Sequence, residues 1–190
     1  MTLSAGFFGK LPARGDFVRH GLPGTLVSAL DGWCQRVLPA SQARLGDGWT
    51  DAWMEAPIWR FLLPTGSCGP GAAAGLWLPS TDKAGRLFPL IIALAAPTWR
   101  ELARCGAFLE AAEGIGLAAI ERDLTPDQVG TAIAGAAAPA GEPWPEPQTG
   151  TWWTAGSERV APGRRLCPGM PDEAAFTAML QDGPLVACQP

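Results

Sequence analysis

The most hydrophobic part of the chain is the stretch 75–94, in which two apolar runs at 76–78 and 87–94 flank a polar turn. Short apolar runs bounded by Pro, Ser, Asp and Gly are typical of two buried strands joined by a loop. The second run is apolar at consecutive positions, which predicts a strand covered on both faces near the centre of a sheet. Pro89 donates no ladder hydrogen bond and therefore predicts a bulge or a strand end in this run.

Helical periodicity is clearest at residues 25–38, where apolar side chains recur on one broad face. We expect Pro39 to end this helix, because proline removes a backbone donor and its ring clashes with the preceding turn. A shorter helical stretch follows, in which Trp49 and Trp53 stand four residues apart and share a face. Three tryptophans fall on apolar faces or strands and are predicted to be largely buried: Trp33, Trp59 and Trp77.

Capping residues mark the starts of two further helices. Thr98 and Glu101 form a capping box that predicts a helix running to about residue 122. Residues 125–128 repeat the pattern with proline at the first helical position, and they predict an alanine-rich helix to about residue 137. A closing helix is predicted at residues 172–180.

Strand candidates at 5–11, 58–63 and 150–154 interleave with these helices, which predicts a layered α/β fold rather than a helical bundle. A chain of 190 residues suits one domain with a substantial core. Residues 139–149 are rich in proline and predict a rigid connector. The domain then consists of a core at 1–138, this connector, and a strand and helix at 150–190 that pack on the same domain.

The composition of the chain limits which classes of partner and which cellular compartment we expect. The net charge of -4 and the lack of a basic tract make nucleic acid and anionic membranes poor partners. No run reaches the roughly 18 apolar residues of a membrane span and no signal-peptide pattern is present, so we expect a cytoplasmic protein without membrane insertion. Five widely spaced cysteines without a Cys-x-x-Cys pair predict free, mostly buried thiols, and no cofactor or zinc site is expected. The sequence leaves the oligomeric state open.

Polar side chains cluster in two loops, residues 10–16 and 80–86. The set comprises Lys10, Arg14 and Asp16 in the first loop and Ser80, Asp82, Lys83 and Arg86 in the second. One interpretation is two independent solvated loops. The other is that the loops meet at one end of the sheet, where an aspartate forms a bidentate ion pair with an arginine, because guanidinium matches carboxylate geometry. The aspartate would be Asp16 or Asp82, and the arginine Arg14 or Arg86.

The sequence gives little support for an enzyme, because the catalytic motifs that it partly matches are incomplete. Ser80 and Lys83 match the S-x-x-K pattern of acylating serines, but they lie in a predicted turn rather than on a helix, and S-D-N and K-T-G are missing. His20 is the only histidine, and the sequence has no G-x-S-x-G elbow and no phosphate-binding glycine loop. The acids that could bind a metal are Asp16, Glu55 and Asp82. Acids beside Lys and Arg more often form ion pairs, so no catalytic or metal-binding residue is predicted.

Five segments together resemble the type VI secretion-associated TagF family, also called ImpM. They are GFFGKLPARGDFV at 6–18, APIWRF at 56–61, GLWLPSTDKAGRLFPL at 75–90, TWWTAGS at 151–157 and GMPDEAAFTAML at 169–180. The resemblance spans nearly the whole chain in the same order. Lys83 stands where we expect arginine and Leu87 where we expect an aromatic residue, which bears only on which base pairs with which acid.

The resemblance implies a three-layer αβα-type single domain around a mixed, largely antiparallel sheet. It also implies a cytoplasmic accessory protein of the bacterial type VI secretion system. Such proteins repress secretion after translation by binding a forkhead-associated scaffold protein. No catalytic residues are established for the family, so none is transferred to this chain.

Two functions follow from these observations. The first is an interaction module that represses secretion by occupying a partner. The second is a small-molecule enzyme or ligand-binding protein that uses the polar loops at 10–16 and 80–86. A closed ion-pair network in these loops favours the first function, and a pocket of several hundred Å3 lined by their charged groups favours the second.

Overall fold

The computed structural model describes residues 2–182. Its strands are β1 (Ser4–Gly9), β2 (Val18–His20), β3 (Trp59–Leu63), β4 (Ala72–Leu78), β5 (Leu90–Ala96), β6 (Gly150–Thr154) and β7 (Gly163–Cys167). Its helices are α1 (Gly24–Leu45), α2 (Trp49–Met54), α3 (Trp99–Leu102), α4 (Gly106–Glu121), α5 (Pro126–Ala136) and α6 (Glu173–Leu180), and a short 3-10 turn at Gly46–Gly48 joins α1 to α2.

The strands form one sheet in the order β2-β1-β5-β4-β3-β6-β7, and every strand pairing within the described residues is antiparallel. Strand β5 lies between β1 and β4, and all of its residues are buried. The prediction of a covered strand in the interior of the sheet is therefore confirmed. Pro89 directly precedes β5, so this proline marks the start of the strand, three residues later than the apolar run suggested.

Helices cover both faces of the sheet, which confirms the layered α/β fold. The α1-side core joins buried residues of α1, α2 and α6 to Ile91 of β5. The α4-side core joins residues of α3, α4 and α5 to Leu90 and Ile92 of the same strand. Neighbouring residues of β5 enter opposite cores because successive side chains of a strand point to opposite faces.

The α1-side core is rich in tryptophan. Trp33, Trp59 and Trp77 are at most 1% exposed, as predicted. The Nε1 of Trp33 donates to the carbonyl oxygen of Pro171 at 2.7 Å, and that of Trp59 donates to the carbonyl oxygen of Met179 at 3.0 Å. The last described segment thus supplies acceptors to side chains from early in the chain, since a buried indole N–H needs a hydrogen-bond partner.

Helix α1 continues through Pro39 to Leu45, so the prediction that proline ends it is wrong. Pro39 lies on the exposed face of α1, and so does Gln35, whose carbonyl loses its intrahelical donor. That carbonyl is open to water, while the opposite face of the helix continues to pack through Ser41. Burial of the apolar face therefore outweighs the local cost of the proline.

The helix predicted for residues 98–122 is in fact two helices, α3 and α4, although both predicted capping boxes are present. At the break between them, the carbonyl oxygens of Ala103 and Arg104 accept hydrogen bonds from the backbone N–H groups of Trp144 and Ala140, at 2.6 and 3.2 Å. These donors belong to the proline-rich connector. The connector therefore takes carbonyls that a continuous helix would use, a tertiary interaction that local sequence does not reveal.

The two edge strands, β2 and β7, are missing from the sequence-based prediction. Strand β2 has only three residues, and β7 is mostly exposed with the sequence GRRLC. Neither has the apolar alternation that signals a half-buried strand. Strand β7 pairs with β6, which pairs with β3, so the segment after the connector belongs to the same sheet as the residues before it.

Three cysteines, Cys34, Cys68 and Cys105, are buried free thiols as expected. Burial raises the pKa of each thiol, to about 11 for Cys68 and Cys105, so they stay protonated at neutral pH. Cys167 is buried and disulfide-bonded, which corrects the expectation of a free thiol at this position. Wide and irregular cysteine spacing carries no signal for pairing in space. Cys188 lies outside the described residues.

Candidate functional site

The two polar loops meet at one end of the sheet. The backbone N–H of Lys83 donates to the carbonyl oxygen of Arg14 at 2.8 Å. The Nη2 of Arg86 donates to the carbonyl oxygen of Gly15 at 2.6 Å. Because β1 and β5 are neighbours in the sheet, the loop that follows β1 and the loop that precedes β5 leave it on the same side. The prediction of a joint cluster is confirmed over that of two independent loops.

Asp82 is the centre of this cluster. Its Oδ2 accepts from the Nζ of Lys10 at 2.9 Å and from the Nε of Arg86 at 2.7 Å. Its Oδ1 accepts from the backbone N–H groups of Ala84 and Arg86, at 2.9 and 3.0 Å. The Asp82 side chain has no exposed surface and that of Lys10 is 8% exposed, so this is an internal ion pair with both carboxylate oxygens occupied.

The surroundings of Asp82 keep it ionised. Burial works against the charged form of the carboxyl, but the hydrogen bonds from Lys10, Arg86 and Ala84 together outweigh burial. They hold the pKa of Asp82 well below its usual range. Asp82 is thus a fixed anion at neutral pH and does not act as a proton-transfer group.

Ser80 and Lys10 also bind backbone. The Oγ of Ser80 donates to the carbonyl oxygen of Lys10 at 2.9 Å, and the Nζ of Lys10 donates to the carbonyl oxygen of Arg86 at 3.4 Å. The Nε1 of Trp53 donates to the carbonyl oxygen of Ser80 at 3.3 Å. The Ser80 hydroxyl therefore ties the first loop to the second, and within the described residues it contacts no side-chain base that could activate it.

The expected aspartate–arginine pair forms, but its geometry differs from the prediction. Arg86 contacts the Asp82 carboxylate through Nε, while its Nη2 binds Gly15, so the pair is not the expected two-pronged fork. Lys10 was expected to pair with the second loop, although an arginine was the favoured partner of the aspartate, and it supplies the second cation because its side chain reaches the buried oxygen from the end of β1. Arg14 and Asp16 are exposed, and no ion pair involves either residue within the described part of the chain.

An exposed aromatic residue, Phe17, borders the cluster and was not among the predicted site residues. It is 56% exposed. Its ring lies 4.7 Å from that of Phe88 in an edge-to-face contact and 6.3 Å from that of Phe8, centroid to centroid. The Nζ of Lys10 lies 5.2 Å from its centroid. The only signal in the sequence is a phenylalanine in a loop of charged residues, and that pattern does not distinguish an exposed ring from one that shields the ion pair.

A cavity of about 310 Å3 lies beside the cluster. Its lining includes Ser80 and Thr81 together with apolar residues of α2 and α4, but none of the charged residues of the cluster. Within residues 2–182, no group of three or more His, Cys, Asp or Glu side chains has the arrangement to hold a metal ion. Glu55, which could have been a metal ligand, instead forms an ion pair with Arg159. Across the same residues, no helix has both the length and the apolar content that crossing a membrane requires.

This fold, with an internal ion pair at one end of its sheet, defines a layered α/β protein built on a single antiparallel sheet. A family model, the TagF N-terminal domain, which is type VI secretion system-associated, matches residues 6–136. The chain therefore belongs to this family. The matched segment runs from β1 to the end of α5 and contains both polar loops.

The chain is similar to a solved structure over almost its full length. The crystal structure of PA0076 from Pseudomonas aeruginosa PAO1 shares 31% sequence identity with it and superposes with a TM-score of 0.83. The match covers 98% of this chain and 99% of that chain, so the similarity extends beyond the family segment into β6, β7 and α6. No curated protein matches the chain by sequence.

Proposed function

We propose that this protein is a cytoplasmic accessory protein that represses type VI secretion after translation, by binding a forkhead-associated scaffold component of the system. The observation that carries the proposal is the family match over residues 6–136. The resemblance of the quoted segments to TagF proteins supplies the repressor role and the scaffold partner.

The chemistry of the polar cluster supports binding rather than catalysis. The polar groups of the cluster form hydrogen bonds with one another or with the backbone, as Lys10, Ser80 and Asp82 show. None of these three side chains is therefore an activated nucleophile or base. A binding protein needs a rigid surface, and this network provides one by joining the two loops. We therefore propose a non-enzymatic role.

The alternative is a small-molecule enzyme or ligand-binding protein that uses residues 10–16 and 80–86. It has less support because the cavity beside these loops is lined by Ser80 and Thr81 but by none of the charged residues of the cluster. A ligand in that cavity would meet mainly apolar walls. Its recognition would not use the ion pair at Asp82.

Secretion assays test the proposed function. Deleting the gene should raise effector release without changing transcript levels of the secretion cluster, and overproducing the protein should lower release. A strain that lacks the secretion apparatus gives the background level of effector release, which is subtracted from both measurements. Unchanged effector release in both the deletion and the overproduction strain would remove the repressor function.

Binding to the purified scaffold component tests the partner separately. Titration calorimetry should detect a complex with the full chain. Repression in cells without any binding to the scaffold would retain the repressor role and exclude this partner.

A further inference from the structure

We propose that an exposed aromatic and basic surface at the loop end of the sheet is the docking site for an acidic segment of the protein partner. The surface, called the Phe17 surface below, consists of Phe17, Arg14, Arg19, Lys83 and Arg86. The inference rests on the proposed function, because it assigns the surface and the partner chemistry through which repression would act.

The aromatic centre of this surface is held in place although it is exposed. The Phe17 ring packs edge-to-face on Phe88 at 4.7 Å and is stacked with Phe8 at 6.3 Å, while the Lys10 ammonium lies 5.2 Å from its centroid. A ring fixed on three sides loses little freedom on binding, yet it offers a large apolar area to a partner. Fixed and exposed aromatic rings of this kind are typical centres of protein–protein interfaces.

Exposed basic side chains lie in the chain segments next to the ring. Four exposed bases stand in the two loops and the adjoining strand β2: Arg14, Arg19, Lys83 and Arg86. Asp16 is the exposed acid of the same segments, because Asp82 is buried and already paired with Lys10 and Arg86. The protein as a whole carries a net charge of -4, so this surface is locally opposite in sign to the rest of the molecule. Its charge selects an acidic partner.

A groove beside the ring sets the direction of the bound segment. Its volume is about 500 Å3, and its walls include Phe8, Phe17 and Phe88 on one side and Asp31 of α1 on the other. Asp31 accepts a hydrogen bond from Gln35 at 2.8 Å, and Arg19 of β2 also lines the groove, so the acid of the lining lies on α1 and the base on β2. An acidic segment would therefore place its carboxylates over the two loops, away from α1, and an apolar side chain of the same segment would enter the groove.

The backbone already holds the two basic loops together. The Lys83 N–H binds the carbonyl oxygen of Arg14, and the Arg86 guanidinium bridges Asp82 and the carbonyl oxygen of Gly15. The loops that carry the bases, and the Arg86 side chain, are thus positioned before the partner arrives, which lowers the entropic cost of association. A second copy of this chain is disfavoured as the occupant, because a two-fold contact through this surface would oppose basic groups to basic groups.

The first test measures affinity for the purified scaffold component by calorimetry with three variants of the full chain. Phe17→Ala should weaken binding about thirtyfold, the range of an interface hot spot. Arg14→Glu and Lys83→Glu should each weaken binding and reduce its dependence on salt. The Arg14 and Lys83 side chains are exposed, so the melting temperatures of these two variants should match that of the parent. Phe17→Ala also loses the ring contacts with Phe8 and Phe88 and should melt somewhat lower, so its affinity is measured well below its melting temperature.

The opposite edge of the sheet supplies matched controls. Leu166 on β7 is 54% exposed, close to the 56% of Phe17, and Arg164 on the same strand is an exposed base. Leu166→Ala and Arg164→Glu should leave the affinity unchanged. If Phe17→Ala binds as tightly as Leu166→Ala, the Phe17 surface is not the docking site, and the proposed function stands without it.

The second test does not require the partner to be known. The photo-crosslinker p-benzoylphenylalanine replaces Phe17 or, as the control, Leu166, in cells that carry the secretion system. We expect one discrete protein adduct from position 17, mapped by mass spectrometry to an acidic segment and lost when Arg14→Glu and Lys83→Glu are added. An adduct with the scaffold supports both the Phe17 surface and the scaffold as its partner. An equivalent adduct with another protein supports the Phe17 surface but excludes the scaffold as its partner.

Several results of this experiment would overturn the inference. They are the absence of an adduct from position 17, an adduct with a second copy of the chain, an adduct insensitive to the charge reversals, and an adduct with nucleic acid or lipid. Scaffold binding by calorimetry without an adduct at position 17 would leave the proposed function intact. The absence of both would remove the docking surface and the scaffold partner together.

Discussion

Trp59 and Trp77 face each other on neighbouring strands β3 and β4, but only one of their indole N–H groups has a hydrogen-bond partner within the described residues. Trp59 donates to the carbonyl oxygen of Met179 at 3.0 Å. Trp77 Nε1 is buried and finds no acceptor in residues 2–182. Two tryptophans of almost equal burial therefore differ in what they contribute to stability beyond packing.

This difference predicts unequal effects of the same substitution. Both Trp59→Phe and Trp77→Phe remove a similar volume from the α1-side core. Trp59→Phe also leaves the Met179 carbonyl without its donor, so we expect it to cost about 1–3 kcal/mol more free energy of unfolding than Trp77→Phe. Urea denaturation of the two variants measures the difference. Equal losses would show that the Trp59 hydrogen bond adds nothing to packing.

The internal ion pair predicts that Asp82 matters far more than Asp16. Asp82→Asn leaves the buried Lys10 ammonium without its anion, whereas Asp16→Asn changes an exposed side chain with no ion pair in residues 2–182. We expect a clear fall in melting temperature for Asp82→Asn and almost none for Asp16→Asn. Adding Lys10→Met should cost less stability in the Asp82→Asn protein than in the parent, and additive effects would contradict direct coupling of the two residues.

The pKa of Asp82 also predicts a pH dependence. Because this pKa is lower in the folded protein than in the unfolded chain, ionised Asp82 stabilises the fold at every pH above the ordinary aspartate value of about 4. The stabilisation is lost as the pH falls below that value towards the folded pKa. The stability difference between the parent and Asp82→Asn should therefore be constant from about pH 5 to 7 and shrink in more acidic solution. A difference that grows on acidification would contradict this sign.

Much of the fold follows from local sequence, because apolar periodicity and capping residues depend on neighbours in the chain. The apolar run before residue 94 predicts the interior strand β5, and Thr98 and Thr125 predict helix starts that the structure has. Features set by distant residues are missed. Pro39 lies inside α1 because the solvent side of that helix tolerates it, and β7 is a strand because β6 lies beside it.

The candidate site shows the same division. The sequence places acids and bases in two loops, and the meeting of these loops is one of the two interpretations that it allows. The choice of Lys10 as the buried cation depends on its position at the end of β1, where its side chain reaches Asp82. The exposure of Phe17 depends on Phe8 and Phe88 filling the space beneath its ring. Such facts depend on how two loops far apart in sequence approach each other.

The two loops can approach each other only if the last residue of β1 is a glycine. We therefore expect a strong effect of replacing Gly9. A Cβ at Gly9 would lie 1.9 Å from the carbonyl oxygen of Pro89, and its φ of +134° is rarely adopted by other residues. Gly9→Ala should therefore lower the free energy of unfolding by at least about 1–3 kcal/mol.

Gly15→Ala is the matched control for this substitution in the adjoining loop. A Cβ at Gly15 meets nothing within 4 Å, so this variant should be nearly neutral. Thermal unfolding of the two proteins under identical conditions checks the comparison. A Gly9→Ala protein as stable as the Gly15→Ala protein would contradict the close approach of β1 to Pro89.

The hydrogen bonds of Trp33 and Trp59 have a consequence for how the protein is made. Their acceptors, Pro171 and Met179, are synthesised 138 and 120 residues after the tryptophans that they bind. The two indole donors on the nascent chain therefore stay without these acceptors until α6 and the residues just before it have left the ribosome. Domains generally fold as units during synthesis, and this unit is complete only when α6 is in place. A chain released early, at the end of the family segment, would be a substrate for chaperones and proteases rather than a smaller working protein.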